Sequence, residues 1–193
     1  KNGLKVLILE KNYAPGGAVS TYCRNGYPID ITHSLCGLNK DAYIGKIFQY
    51  LGIYNDLEII ENEKAFIYVA GNHNNPIFCY TDLNKYGEEL CRYFPEEKNN
   101  INRIFQTIGQ TWSNEILKSY YNPSLLLLIF YPFLFNRLFK YRDYTFEEFL
   151  NKFTNNSLLK DVLSIGWPYL GLEKEFVSAL YMFCMIGSYH KDK

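Results

Sequence analysis

The chain has 193 residues, and its 20 basic and 20 acidic side chains leave no formal net charge. Proteins that bind nucleic acids usually present a basic face, so this balance argues against a nucleic-acid partner. Aromatic residues make up 18% of the chain, enough to build either a large core or an apolar ligand site.

The cysteines and histidines give no sign of a disulfide framework or a metal site. The five cysteines are odd in number, and no two of them have the C-x-x-C spacing. The three histidines are scattered along the chain, which argues against a histidine-rich metal centre. We therefore expect reduced thiols, a cytoplasmic location and no bound metal.

The first element that the sequence predicts is a buried strand. Residues 4–9 are an apolar run broken only by Lys5, a pattern typical of a parallel strand covered on both faces. Gly3 stands immediately before this run, where a glycine commonly follows the end of a helix. We therefore expect the natural protein to extend upstream of Lys1, and beyond the abrupt end at Lys193, so that the sequence is a fragment.

Short elements and then a helix follow. A loop rich in proline and glycine over 12–17 leads to a predicted short helix over 18–23 and a second strand over 27–31. The next segment, 41–51, is amphipathic with the helical period, and Gly52 should end the helix.

The remaining sequence predicts a small sheet and then helices. Three strands of a meander are expected over 57–60, 65–69 and 77–80, with Asp82 as the cap of the next helix. Pro95 suits the first turn of the long helix that comes after it. The predicted helices are 82–93, 95–118, 124–140, 145–153, 156–166 and 173–188.

Glu10 ends the apolar run, where many dinucleotide-binding folds place an acid. In those folds a glycine-rich loop follows the first strand, and an Asp or Glu about 20 residues later binds the ribose hydroxyls. A carboxylate suits this role because it accepts two hydrogen bonds from a vicinal diol. Only nine residues precede Glu10, so the loop would lie upstream of Lys1. Taken alone, Glu10 is as consistent with a solvated loop acid as with a ribose ligand.

An ordered set of residues extends this pattern. The sequence follows E-K-N-x-x-x-G-G-x-x-x-T and then R-x-G-Y-x-x-D. It resembles the second half of the FAD-binding region in flavin-dependent oxidoreductases of the phytoene desaturase and carotenoid isomerase type, with retinol saturase as a relative. The similarity continues through His33 and Gly37 to residues 43–53, and more loosely over 80–187. The matching residues are Glu10, Lys11, Gly16, Gly17, Thr21, Arg24, Gly26, Tyr27 and Asp30.

The resemblance implies a fold and a division of the chain. Residues 1–56 would be part of a Rossmann-type FAD-binding domain without its first strand and glycine-rich loop. The whole domain would have an α/β fold, and the part of it that this chain covers would be α+β. Residues 57–193 would form the substrate and cap region, with the meander over 57–80 and helices over 82–188.

The resemblance also implies roles for the residues that follow the first strand. Glu10 would bind the adenosine ribose of FAD, and Lys11 belongs to the same cofactor-binding set. Gly16 and Gly17 would let the backbone approach the cofactor, because glycine has no Cβ.

The later residues of the set would lie nearer the flavin. Thr21 and Arg24 would be near the pyrophosphate or the flavin, and the segment from Asp30 to His33 would lie beside the isoalloxazine ring. Many relatives have Gly where this chain has Thr32, and a side chain there leaves less room against the ring. A lone histidine is more often structural than catalytic, and flavin carries the chemistry in this family. The catalytic residues are therefore unassigned, and His33 is a cofactor-binding candidate.

Residues 124–135 are almost all apolar or aromatic, but the run is shorter than the roughly 20 residues that span a bilayer. One interpretation is a buried helix of a cap domain, with the solvated helix end at Arg137, Lys140 and Arg142. The other is an interfacial helix at the mouth of a tunnel that takes an isoprenoid from the membrane. In the second case the three cations would meet lipid phosphates, and 124–142 would carry a peripheral membrane association.

Three functions remain open from the sequence. The first is an FAD-dependent oxidoreductase that desaturates, saturates or isomerises a long apolar polyene, with a channel lined from 166–172 and 179–187. The second is an amine oxidase-like or protoporphyrinogen oxidase-like flavoenzyme with a charged or heteroaromatic substrate. The third is a degenerate, non-catalytic fragment, since a chain without the phosphate loop is not expected to hold FAD at micromolar affinity. The apolar run at 124–135 favours the first.

Overall fold

The computed structural model describes residues 3–17, 19–30, 37–69, 75–116 and 125–190. Internal contacts divide the chain into two units, Lys1–Glu58 and Ile59–Lys193. Helices combined with small antiparallel sheets give an α+β architecture. That one unit serves a cofactor and the other a substrate stays a prediction.

The first unit contains an antiparallel hairpin of two strands, β1 (Thr21–Arg24) and β2 (Tyr27–Asp30). Asn25 and Gly26 form the turn, with φ values of 52° and 83°. An Asn-Gly pair favours this left-handed conformation because its twist matches that of the flanking strands. The strand predicted over 27–31 is confirmed over 27–30, and residue 31 lies outside the described residues. The short helix predicted over 18–23 is wrong, because the turn sets the residues before it into the partner strand.

The helical segments of the first unit are α1 (Tyr43–Leu51) and a 3-10 turn (Tyr54–Asp56). A loop folds back on the start of α1, where the N–H of Gly45 donates to the carbonyl oxygen of Gly37 at 3.1 Å. The chain leaves the helix at Gly52, which is left-handed. The helix predicted over 41–51 and its end at Gly52 are confirmed.

The second unit begins with a hairpin of β3 (Lys64–Tyr68) and β4 (Ile77–Tyr80). The strands predicted over 65–69 and 77–80 are confirmed within a residue. The strand predicted over 57–60 is wrong: these residues are exposed and lie outside any described strand. The described sheet is therefore a hairpin and not a three-stranded meander, because an apolar segment forms a strand only where a partner is within reach.

Helices make up the rest of the second unit. They are α2 (Leu83–Tyr93), α3 (Lys98–Thr111), α4 (Leu125–Leu134), α5 (Asn136–Tyr141), α6 (Phe146–Leu150), α7 (Ser157–Leu163) and α8 (Ala179–His190). Shorter turns are 3-10 helical at Pro95–Glu97, Trp167–Leu170 and Lys174–Phe176, and π-helical at Trp112–Ile116. Asp82 caps α2 as predicted, accepting from the N–H groups of Asn84 and Lys85. Thr145 and Glu148 form a capping box at α6.

Two of the predicted helices are interrupted. The helix expected over 124–140 is split into α4 and α5, which meet at Phe135 with φ −124° and ψ 55°. Pro132 lies inside α4 and lacks the N–H that a helical turn needs. The helix expected over 95–118 begins as a 3-10 turn and ends in the π-helical segment, and residues 117–118 are outside the described part of the chain.

Aromatic rings form the centre of the second unit. Phe149 of α6 and Phe183 of α8 are fully buried, with ring centres 4.8 Å apart. Tyr141 of α5 packs edge-on against both rings. Leu90 of α2 and Ile104 of α3 are buried in the same core. The high aromatic content of the sequence therefore supplies a core in this unit.

Residues 4–9 differ from the prediction of a buried strand. They form no strand in the structure, and the side chains of Leu4, Leu7 and Leu9 are 79, 82 and 86% exposed. A strand covered on both faces needs neighbouring strands and covering layers, whereas the described strands pair only within the two hairpins. The apolar sequence shows that the segment is suited to burial, but only partner strands can bury it.

Candidate functional site

Glu10 lies in a polar turn at the end of the apolar segment. Its Oε1 atom accepts a hydrogen bond from the N–H of Asn12 at 2.8 Å, and the residue is exposed. An ionised carboxylate has about four acceptor positions, of which this bond uses one. The Oε2 atom can therefore accept hydrogen bonds from a diol without any change in the turn.

Gly16 and Gly17 bend the chain after Glu10, with φ values of 122° and 55°. These values favour glycine because L side chains rarely adopt them. The carbonyl oxygen of Gly16 accepts from the N–H of Val19, and that of Gly17 accepts from the hydroxyl of Ser20. A Cβ on Gly16 would lie 3.0 Å from the carbonyl oxygen of Val19, whereas one on Gly17 would meet nothing within 4 Å. The backbone of Gly17 is thus open to an approaching group.

Thr21 and Asp30 face each other at the open end of the first hairpin. The hydroxyl of Thr21 donates a hydrogen bond to Oδ1 of Asp30, which ties the two strand ends together. Arg24, at the other end of β1, is exposed, and so is Lys11. Neither cation has a carboxylate within ion-pair distance among the residues that the structure describes.

The structure brings together some of the candidates from the sequence. Thr21 and Asp30 are in direct contact, whereas Glu10 bonds to Asn12. His33 falls within 31–36, outside the described residues. The roles assigned to all of these residues stay predictions.

The first unit has donor and acceptor groups that fit a dinucleotide. Glu10 can accept from a ribose diol, Gly17 offers open backbone, and Lys11 and Arg24 offer positive charge to phosphates. Thr21 fits less well, because its only hydroxyl hydrogen is already given to Asp30.

A buried chain of hydrogen bonds links three elements of the second unit. The thiol of Cys79 in β4 donates to the hydroxyl of Tyr86 in α2 at 3.4 Å. That hydroxyl donates to the carbonyl oxygen of Val162 in α7 at 3.3 Å. Both side chains are buried, so the chain of bonds fixes the hairpin against the two helices.

Burial keeps both of these side chains protonated. Removal from water raises the pKa of Cys79 to about 11, although its bond with Tyr86 acts in the opposite direction. Burial likewise raises the pKa of Tyr86 well above its ordinary value. The thiolate is the nucleophilic form of cysteine, so Cys79 is not a candidate nucleophile at neutral pH.

A small apolar cavity of about 20 Å³ lies beside this pair. One water-sized group needs roughly 10–15 Å³, so the cavity is far too small for a polyene. Met185 fills the adjoining space, since a Cβ on Gly166 would lie 2.9 Å from its Cε atom. Segments 166–172 and 179–187, expected to line a channel, thus pack closely where they meet at this cavity. The lining includes Phe66, Cys79, Tyr86, Met182, Met185 and Tyr189.

A buried ion pair joins the π-helical segment to α5. Glu115, 4% exposed, contacts Nη1 of Arg137 with its Oε1 atom at 3.2 Å. Its Oε2 atom accepts from the N–H of Leu138 at 2.8 Å, in the first turn of α5, where negative charge is favourable. Arg137 also donates to Oε1 of Gln110. Glu115 therefore holds the start of α5 against the π-helical segment Trp112–Ile116.

The sequence carries a signal for each of these buried polar groups. Cys79 alternates with Ile77 along β4, and this period of two places both side chains on the inner face. Glu115 continues the buried stripe of Ile104, Ile108 and Thr111, which repeats every three or four residues. An acid on an apolar stripe indicates a buried partner, and the partner here is Arg137.

Two kinds of feature are missing from the described ranges. No three His, Cys, Asp or Glu side chains lie together there as the ligands of a metal ion would. No described helix combines the length and the apolar character that crossing a membrane requires.

Proteins similar to the chain are named for reactions of prolycopene or of retinol. The chloroplastic prolycopene isomerase of Daucus carota is 30% identical over 112 residues, which are 57% of this chain and 18% of the isomerase. The all-trans-retinol 13,14-reductase of Danio rerio is 28% identical over 174 residues, 85% of this chain and 28% of the reductase. The chloroplastic prolycopene isomerase 2 of an Oncidium hybrid cultivar is 27% identical over 104 residues, 53% and 18% of the two chains. No family model matches the sequence.

The chain is therefore a distant relative of enzymes named as isomerases and a reductase. It spans between 18 and 28% of the length of these three relatives. These similarities support the resemblance inferred from the sequence only in part: the relatives are enzymes named for prolycopene or retinol.

Proposed function

We propose that the chain supplies the ribose-binding part of an FAD site and an apolar cap to an oxidoreductase that acts on a long polyene. The observation that carries the proposal is the ordered set of residues from Glu10 to Asp30. Similarity to proteins named for prolycopene and all-trans-retinol supports the substrate class. The reaction would be a desaturation, a saturation or an isomerisation.

Glu10 would bind the adenosine ribose. Its Oε2 atom would accept from the ribose hydroxyls while Oε1 keeps its bond to Asn12, so the acid would be held in place before the ligand arrives. Gly16 and Gly17 would let the backbone approach FAD, with Gly17 the more open of the two. Lys11 would contribute positive charge beside this turn.

The hairpin would lie nearer the reactive end of the cofactor. Arg24 would approach a phosphate or the flavin, because it is exposed and has no described carboxylate partner. Thr21 would act mainly by holding Asp30 in position, and the segment from Asp30 to His33 would border the flavin ring. The flavin, once bound, supplies hydride or electron transfer.

We also propose that residues 4–9 form a strand of a Rossmann-type sheet in the complete domain. The exposed side chains of Leu4, Leu7 and Leu9 support this, since they are as apolar as the side chains of a buried parallel strand. In such a sheet Glu10 would stand at the carboxyl end of its strand, the edge where these folds bind nucleotides.

The substrate would be recognised through apolar contact, because a polyene has almost no polar groups. Its solubility in lipid also leads us to propose that the protein meets its substrate at a membrane surface, through 124–142. An amine oxidase-like or protoporphyrinogen oxidase-like enzyme would instead need a site for a charged or heteroaromatic group, and the run at 124–135 does not favour one.

The test is FAD binding by the complete protein that the gene encodes, measured by absorbance of the bound flavin and by titration of the apoprotein. Glu10→Gln keeps the size of the side chain and removes its charge. We expect the Kd for FAD to rise about ten- to a hundred-fold, because a hydrogen bond to a charged group contributes about 1.5–3 kcal/mol. Glu58→Gln, which changes another exposed acid of the first unit, should leave the Kd unchanged.

A complete protein that binds no FAD would refute the cofactor assignment, and equal Kd values in the two variants would refute the role of Glu10. The substrate class is tested separately, by incubating the flavin-loaded protein with all-trans-retinol and with a poly-cis carotenoid. Turnover of amines or porphyrinogens alone would support the second type of flavoenzyme. FAD binding without turnover of any of these compounds would support a non-catalytic protein.

A further inference from the structure

We propose that α4 and α5 present a docking surface for an anionic lipid bilayer, with aromatic side chains that enter the headgroup region. This surface, called the Phe133 face, consists of the exposed side chains of Phe130, Phe133, Leu134 and Phe139. The inference deepens the proposed function, on which its biological meaning rests, but lipid binding can be measured without FAD.

The Phe133 face belongs to a helix pair that is buried at its junction and within α5. Phe130, Phe133 and Leu134 are 52, 82 and 57% exposed, and residues three and four apart share a helix face. Phe135 and Leu138, by contrast, are buried and attach the pair to the second unit. The exposed rings therefore belong to a helix pair that the buried side chains of Phe135 and Leu138 hold in place.

The segment that carries this face is basic, and acids stand only at its two ends, at Glu115 and Asp143. Residues 116–142 contain Lys118, Arg137, Lys140 and Arg142 and no Asp or Glu, although acids and bases are equal in number over the whole chain. Aromatic and aliphatic side chains next to lysine and arginine are typical of segments that lie in the membrane interface. This distribution of charge complements the negative surface of an anionic bilayer.

The cations differ in how available they are to phosphates. Arg137 is held in its buried ion pair, and Arg142 pairs with the exposed Asp143 at 2.9 Å. The guanidinium of Arg142 also lies 4.0 Å from the ring centre of Phe139, so positive charge is in direct contact with the face. Lys140 is exposed and has no carboxylate within ion-pair distance among the residues described. Among the described cations of this segment, Lys140 is therefore the most available to lipid phosphates.

The shape of the Phe133 face favours a bilayer over a protein partner. Its side chains project into solvent, with Phe133 the most exposed of them. The described α4 has ten residues, so it suits a position along the interface with one face in contact with lipid.

The test is co-sedimentation of the 193-residue chain with vesicles made of equal parts phosphatidylcholine and phosphatidylserine. Phe133→Ser should lower the partition coefficient about ten-fold, since burial of a phenylalanine side chain favours the bound state by at least that factor. Phe176→Ser is the matched control, because Phe176 is 68% exposed on another segment, and partitioning should not change. Lys140→Gln should weaken binding about five-fold on these vesicles and leave binding to pure phosphatidylcholine unchanged.

Circular dichroism should show wild-type folding in these variants, because each replaces an exposed side chain. Absence of vesicle binding by the folded chain would overturn the proposal, as would equal losses from Phe133→Ser and Phe176→Ser. Sedimentation equilibrium without lipid provides the remaining check. A dimer that Phe133→Ser dissociates would assign the face to a second copy of the chain and would also overturn it. Loss of FAD binding through Glu10→Gln with unchanged vesicle binding would separate the two proposals.

Discussion

Replacement of Glu115 by glutamine tests whether the buried ion pair holds α5 in place. The carboxylate accepts from both Arg137 and the N–H of Leu138, and it is almost fully buried. Glutamine has nearly the same shape, but its amide has only one oxygen. If that oxygen accepts from Leu138, the amide NH₂ group must face the guanidinium of Arg137, and donor then meets donor.

The expected loss of stability follows from the exposure of the two partners. Breaking a fully buried ion pair costs about 3–5 kcal/mol, because the remaining charge has no compensation. The side chain of Arg137 is 38% exposed, so water can solvate its charge in part and reduce this cost. We therefore expect Glu115→Gln to lower the free energy of unfolding by about 2–3 kcal/mol, a drop in melting temperature of about 4–12 °C.

Urea unfolding followed by far-ultraviolet circular dichroism measures this change. Asp143→Asn is the control, since it removes an acid from the exposed ion pair with Arg142 and should change stability by no more than about 0.5 kcal/mol. Equal effects of Glu115→Gln and Asp143→Asn would refute the reasoning. A double-mutant cycle with Arg137→Met should show non-additive losses, because the two side chains form one interaction.

Four further changes have expected outcomes. Gly187→Ala should destabilise the protein by about 1–3 kcal/mol, because its Cβ would overlap the ring of Trp112, and the tryptophan fluorescence should shift. Gly109→Ala, where the nearest atom is 3.9 Å away, should instead stabilise α3 by about 0.5–1 kcal/mol in the same urea assay. The pKa of Cys79 is about 11 in the folded protein, against an ordinary value of 9.0, so the thiol loses its proton at lower pH in the unfolded chain than in the folded protein. The protonated thiol therefore contributes its full stability below pH 9, and this contribution is lost as the pH rises to about 11. Between pH 9 and pH 11 the free energy of unfolding should fall by about 2–3 kcal/mol less in Cys79→Ala than in the wild type, as measured by unfolding curves across this range. Asp82→Ala should cost about 1 kcal/mol of unfolding free energy through loss of the α2 cap.

Local signals in the sequence predicted those elements whose determinants lie within a few residues. Asp82 caps α2 and Gly52 ends α1 because capping depends on neighbouring backbone groups alone. The Asn25-Gly26 turn is equally local, and a hairpin prediction from that dipeptide would have avoided the helix expected over 18–23. The strand expected over 4–9 depends on partner strands, which the pattern of one segment cannot supply.

The candidate site likewise combines features that the sequence predicts with contacts that only the structure shows. The order of Glu10, Gly16 and Gly17 is visible in the sequence, and the structure adds the bond to Asn12 and the open backbone at Gly17. The pairing of Thr21 with Asp30 follows from the hairpin register, which was not predicted because β1 was assigned to a helix. Contacts that join distant segments, such as Glu115 with Arg137, require the packing of several elements.

The two units differ in how many of their side chains are buried. The second unit buries aromatic rings, an ion pair and a chain of hydrogen bonds, whereas Gly45 alone is buried among the described residues of the first unit. A ligand that binds only the folded state adds stability that rises with the logarithm of its concentration above the Kd, about 2.7 kcal/mol at a concentration a hundred times the Kd. If the proposed site is correct, FAD binding by the complete protein should therefore stabilise the first unit. If Glu10 is the ribose ligand, FAD should slow amide hydrogen exchange most around residues 10–17, and Glu10→Gln should remove that protection while exchange in α3 stays the same.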